Sequence, residues 1–200
     1  MADYTKAYAL TMEAEGTYSN HPNDRGGETW KGVARNIYPN WPGWKIIDDA
    51  KNLPNFPASL RSNQDLEVQV QDFFKRLYWD AIHLDTCPSQ SIAHELFDTA
   101  VNMGPAIAIN FLQQVLNVLN RQESLYTDIA EDGGYGVQTH DAFTAFFQKV
   151  PKDRWRAMYA LLNCLQGHRY ITIAKSRPTQ EDFMYGWATR LFEISTNSGL

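Results

Sequence analysis

The stretch EAEGTYSNHPNDRGGETWKGV, residues 13–33, decides how the rest of the chain is read. Upstream of it, Asp3 is placed to cap a helix carrying Ala7, Leu10 and Ala14 on one face, and Gly16 sits where such a helix stops. From there the residues are dense in Gly, Asn, Asp, Thr and Tyr. Tyr18–Val33 fits a small hairpin with Asn23–Gly27 near its tip. Glu15 falls in the last helical turn, where the carbonyl ends carry partial negative charge. That disfavours an ionised carboxylate by roughly 0.3–1 kcal/mol, less than one pKa unit at about 1.36 kcal/mol per unit. A general acid working near neutral pH needs more, and burial against Tyr18 or Trp30 is the remaining source.

Asp24 and Thr29 lie farther along the same stretch, and a hairpin can set them opposite the helix end. A carboxyl group and a carboxylate or hydroxyl across a cleft are the parts that cut a glycosidic bond. One protonates the leaving oxygen; the other orients water or steadies developing positive charge on the sugar. The plain alternative makes Glu15 a solvated helix-end residue, Asp24 a turn cap and Thr29 the cap of the next helix. Residue types and spacing leave both readings open.

The remainder reads as helices. Val33–Tyr38 suggests a short one cut off by Pro39. Residues 39–62, with Pro39, Pro42, Pro54, Pro57, Trp41 and Trp44, read mainly as loop with one short helix. From Asn63 to Ile82, Leu66, Val70, Phe73, Phe74, Leu77, Tyr78 and Ala81 recur at helical spacing. A helix after Pro88 carries Ile92, Ala93, Leu96, Phe97, Ala100 and Met103 and ends at Gly104. Another follows Pro105 with Phe111, Leu112, Val115, Leu116 and Leu119. Glu131–Gly136 is a turn, after which Thr139 is expected to cap a helix bearing Phe143, Phe146 and Phe147. Pro151 opens a long helix through Trp155, Tyr159 and Leu162 toward Lys175, and Thr179 with Asp182 starts the last one. The expected fold is mainly α: a lysozyme-like helical body with one small β-hairpin after the first helix.

Composition narrows the partners. A chain of 200 residues that is 44% hydrophobic and 20% charged is globular. A net charge of −5 offers no electrostatic footprint for nucleic acid. No apolar run is long enough to span a membrane. Met1–Lys6 lacks a basic segment followed by an apolar one, so a chain made in the cytoplasm without a signal peptide is expected. The six Trp and ten Tyr are a generous supply, most of them expected in the core and about a quarter left for stacking on sugar rings. Cys87 and Cys164 allow one disulfide and no framework.

Here the opening stretch resembles the N-terminal signature of glycoside hydrolase family 108, lysozyme-like N-acetylmuramidases of phages, prophages and bacterial secretion loci. That signature runs Glu-Gly-Gly-Tyr, Asn and Pro, Asp, a Gly-Gly pair, Thr, then Gly with an apolar residue. The chain offers Glu15-Gly16-Thr17-Tyr18, Asn20, Pro22, Asp24, Gly26-Gly27, Thr29 and Gly32-Val33. Phe97–Gly104 and Asp132–Thr139 are similar to motifs of the peptidoglycan-binding half of the family. The resemblance implies a catalytic half over residues 1–90 and a helical peptidoglycan-binding half over 91–200, packed as one body. It implies Glu15 as catalytic acid, with Asp24 and Thr29 in supporting positions. Tyr18, Asn20 and Trp30 are expected to line a sugar groove. Asp98 and Asn102, on one helix face beside Phe97 and Val101, either line the cleft as well or satisfy buried backbone groups, the structural role being the favoured one.

Cleavage of the β-1,4 bond between N-acetylmuramic acid and N-acetylglucosamine is therefore expected, with no cofactor or metal. The partner is the glycan strand of peptidoglycan, the expected state is a monomer, and the site of action is the wall or periplasm. Reaching it takes a holin or another export route, as phage endolysins and secretion activators of this family do. Thr17 and Trp30 depart from the pattern, where the family has Gly and often Asn. Two alternatives follow: a lytic transglycosylase using Glu15 alone, and a non-catalytic wall-binding or secretion-assisting protein. His94-Glu-Leu-Phe-Asp98 lacks the second histidine of a zinc helix, and Cys87 has nothing electropositive nearby to make it a nucleophile.

Overall fold

The computed structural model describes residues 1–12, 18–20 and 26–197. Among them the fold is mainly α with one small antiparallel sheet, as expected. Helix α1 spans Tyr4–Met12, and Asp3 starts it by accepting the Thr5 N–H on Oδ1 at 2.9 Å. Its expected stop at Gly16 lies outside the described residues. The sheet has order β1-β2-β3, with β1 at Tyr18–Ser19, β2 at Thr29–Trp30 and β3 at Val33–Ala34.

β1 and β2 form the expected pair, with Tyr18 opposite Trp30 and Ser19 opposite Thr29. β3 corrects the helix expected over Val33–Tyr38. Lys31 and Gly32 both have positive φ, 43° and 81°, the twist that a two-residue hairpin loop needs. They turn the chain so that Val33 returns opposite Trp30, and a helix cannot start there. Glycine takes that conformation without cost, while Lys31 is tied down by an ion pair to Glu67.

The chain divides into two compact units, Tyr8–Arg76 and Met1–Ala7 with the chain from Leu77 onward. In the first, α2 (Gly43–Ala50) packs on α3 (Gln64–Phe74). Asn63 caps α3 by accepting the Leu66 N–H at 2.9 Å. Trp44, Ile47, Leu66, Val70 and Phe74 form the core between them. The helical reading of 63–82 holds, but the trace tightens and loosens after Phe74. A π turn covers Lys75–Trp79 and a 3-10 turn Asp80–Ile82.

The second unit is built on α4 (Gln90–Met103), with α5 (Pro105–Leu119) and α7 (Trp155–Ser176) against it. Every residue of α4 from Ser91 to Ala100 is buried. A helix buried on all sides belongs at the centre of its unit, and its polar residues must then find partners inside. α6 spans Val137–Lys149 and α8 Met184–Asn197. Thr139 lies in the first turn of α6 rather than before it, because Gly136 occupies the cap position. Likewise Pro178–Phe183 forms a 3-10 turn, and α8 begins after it at Met184, not at Thr179. Both cysteines are free. Among the described residues no helix is long and apolar enough to cross a membrane.

Candidate functional site

Glu15 and Asp24 lie outside the described residues, whereas Thr29, Tyr18, Asn20, Trp30, Asp98 and Asn102 lie within them. The sheet brings Tyr18 and Thr29 onto neighbouring strands. Asn20 follows β1 and is exposed. The Thr29 hydroxyl donates to the Gly27 carbonyl at 3.2 Å, which holds the β2 entry in place. Tyr18 is fixed at both ends. Its ring meets Phe56 edge-on at 4.9 Å, and its hydroxyl donates to Glu28 Oε1 at 2.8 Å. Burial, then the Glu28 carboxylate, push the Tyr18 hydroxyl pKa upward, so it stays a neutral donor.

Glu28 is the residue that sequence reasoning missed. It is buried and pairs with two cations, Arg35 Nε at 2.7 Å and Lys51 Nζ at 2.9 Å. Arg35 and Lys51 also share Asp48, at 2.7 and 2.8 Å, and the Arg35 guanidinium lies 4.3 Å over the Trp44 ring. One carboxylate thus locks β2 to the end of β3 and to α2. The available signal was Glu28 itself: a charged residue beside Trp30 in a strand with an apolar side needs an internal partner. Trp30 is 2% exposed. The expected groove residue is a core residue, shut off from any sugar, and its role is to seat the strand.

Asp98 is likewise removed from the expected groove wall, being 1% exposed. Arg190 grips its Oδ1 through Nε at 2.9 Å and Nη2 at 2.7 Å. Gln166 donates to Oδ2 at 3.0 Å and Asn102 to Oδ2 at 3.2 Å. Asn102 also donates back to the Asp98 carbonyl at 2.8 Å. The pair is therefore an internal brace between α4 and α8. It also removes Asp98 from any metal set with His94, and no group of metal-binding side chains occurs among the described residues. The Cys87 thiol is buried, and burial pushes its pKa up to about 12, which rules it out as a nucleophile.

Glu95, one residue along α4 from His94, is fully buried, and burial reinforced by Asp98 pushes its pKa up to about 8. The folded chain keeps a proton that the unfolded chain releases above its ordinary 4.5. Stability from this group is thus full below about 4.5 and drains as pH rises toward 8. His94 runs the opposite way: burial lowers its pKa from 6.5, so its effect is confined below pH 6.5. Of these two groups, only Glu95 contributes a slope between pH 6.5 and 8. Glu95→Gln should therefore gain on the wild type in that window, read as the difference in urea midpoint at pH 6.5 and pH 8.

In the same unit, Gln113 organises the turn ahead of α6. Its Nε2 donates to Asp132 Oδ1 at 2.9 Å and Gly134 O at 3.0 Å, and its Oε1 accepts from Gly133 N at 2.9 Å. Gly133 has φ 73°, and a side chain there would meet the Ala106 carbonyl at 2.7 Å, so this position admits only glycine. An open cavity of about 390 Å³ lies beside the turn, lined by Gln113, Ile129, Asp132, Tyr135, Val137 and Gln138 among others.

Comparison with known proteins divides the chain after α4, later than the boundary between the two compact units. Residues 8–104 match the family described as glycosyl hydrolase 108, and residues 107–192 match one described as a predicted peptidoglycan domain. The solved structure of Brucella abortus SagA superposes with a TM-score of 0.63 at 24% identity. The match covers 98% of this chain and 92% of that one, which shows a shared fold. No curated protein matches.

Proposed function

The chain belongs to glycosyl hydrolase family 108 and carries a peptidoglycan domain, and from that premise we propose that it is an N-acetylmuramidase with Glu15 as general acid. A glycoside hydrolase joined to a peptidoglycan domain acts on cell-wall peptidoglycan. The finer reading assigns it the β-1,4 bond after N-acetylmuramic acid. Glu15 protonates the glycosidic oxygen, Asp24 places a water or steadies the oxocarbenium-like charge, and Thr29 helps to position that water. Residues 1–90 carry the cleavage and residues 91–200 hold the polymer.

The observation that carries this reading is the Glu28 network. Glu15 and Asp24 flank β1 in sequence, and β1 and β2 are held by a buried carboxylate with two cations and the Tyr18 hydroxyl. Reacting groups need this kind of rigid support, since small displacements cost large factors in rate. Tyr18 and Asn20 then remain as groove residues.

Mass spectrometry of purified wall digested by the protein tests the assignment. A muramidase leaves N-acetylmuramic acid at the new reducing ends, each product heavier by one water. Anhydro-sugar ends would replace the hydrolase by a transglycosylase, and wall binding without new ends would leave only a binding protein.

A further inference from the structure

Beyond the cleavage site, the unit that begins again at Leu77 contains a second cavity, of about 200 Å³. Its walls are Leu119, Leu125, Phe146, Val150, Pro151 and Ala157, and its mouth carries Arg121, Lys149 and Arg154. The lining holds no acid, although the chain as a whole has 23 acidic residues against 18 basic ones. None of the three cations is paired with a carboxylate among the described residues. All three are exposed. The Lys149 ammonium donates to the Leu125 carbonyl at the rim, and two of its three N–H donors are left for a ligand.

The backbone at the mouth is under strain. Arg121, Gln122 and Glu123 have φ of 56°, 57° and 62° in succession, a left-handed run that side-chain-bearing residues seldom adopt. Asn120, 3% exposed, enforces it: Oδ1 accepts the Glu123 N–H at 3.1 Å and Nδ2 donates to Asp128 at 2.6 Å. Strain persists where the surroundings over-determine it, often at ligand sites. Here it sets Arg121 at the rim of the cavity.

We propose that this apolar cavity with its three-cation mouth holds a peptide stem of peptidoglycan, seating a small aliphatic side chain such as alanine while the cations take the adjacent free carboxylate. The identification of the polymer rests on the function proposed above. The shape and charge favour that occupant. At about 200 Å³ the cavity is below the roughly 300–1,000 Å³ of sites that enclose drug-sized ligands. A short aliphatic group fits it, and its rim selects an anion. Guanidinium groups grip a carboxylate through two parallel N–H donors.

The test uses the full chain titrated by NMR with an alanine-terminated stem peptide, once as the free acid and once with every carboxyl amidated. The acid should shift the Val150 and Ala157 amides and bind at least about tenfold tighter than the amide. Each exposed charge contact is worth roughly up to fivefold in affinity, so Lys149→Gln with Arg154→Gln should weaken the acid about tenfold. Arg121→Gly should weaken binding and raise the melting temperature together, since glycine relieves the left-handed strain. Equal affinity for acid and amide, full affinity in either variant, or inorganic phosphate outcompeting the peptide at the same amides would overturn the proposal. Cleavage of peptide-free glycan strands is scored on the same samples. Binding without cleavage refutes the muramidase reading alone, and cleavage without binding refutes this one alone.

Discussion

Glu15→Gln is expected to lower the rate of wall clearing at neutral pH by at least about a hundredfold, the usual reach of general acid catalysis. Glutamine keeps the shape and the hydrogen-bonding oxygen but cannot hand over a proton. The loss should therefore fall on kcat, with KM for glycan strands and the melting temperature near those of the wild type. The alkaline limb of the wild-type pH–rate profile, where rate falls as the general acid loses its proton, should be the limb that Glu15→Gln abolishes. Asp24→Asn separates two chemistries. A hydrolase that uses Asp24 to place water loses rate on this change, whereas a transglycosylase relying on Glu15 alone keeps it. A folded Glu15→Gln protein that clears wall as fast as its parent would sink the assignment.

The parts of this molecule that could be read from residues alone are those where periodicity is long. Leu66, Val70, Phe73 and Phe74 repeat on one face over three turns, and α3 forms there. α4 and α5 are bracketed by Pro88, Gly104 and Pro105, each with a local physical reason to start or stop a helix. Short elements were not legible. Val33–Tyr38 is too brief for its period to separate helix from strand, and the decision lies in the positive φ of Lys31, a residue that gives no such signal. Buried polar partners were not legible either. Glu28 needs Arg35 and Lys51, and Asp98 needs Arg190, ninety-two positions away. Both carboxylates therefore resembled, or were passed over as, surface chemistry. Glu15 and Asp24 gained their roles from the family pattern around Gly26-Gly27, because a carboxylate among turn residues has an ordinary structural reading as well.

Asp98→Ala should destabilise the helical unit by about 3–5 kcal/mol, because removing one partner of a buried ion pair leaves the other charge uncompensated. Arg190 would remain largely enclosed without the Asp98 carboxylate, and Gln166 and Asn102 would each lose an acceptor. At roughly 2–4 °C per kcal/mol for a chain of this size, the melting temperature should fall by about 6–20 °C. Asp98→Asn should fall nearly as far, since an amide keeps the volume but not the charge. The decisive comparison is Asp98→Leu with Arg190→Met in one protein. Replacing both charges by apolar groups removes the desolvation cost along with the attraction, so much of the loss should be recovered. A wall residue of the sugar groove behaves differently: its amide variant would melt like the parent and raise KM. Wild-type stability in Asp98→Asn with weakened glycan binding would return this carboxylate to the groove and remove the brace between α4 and α8.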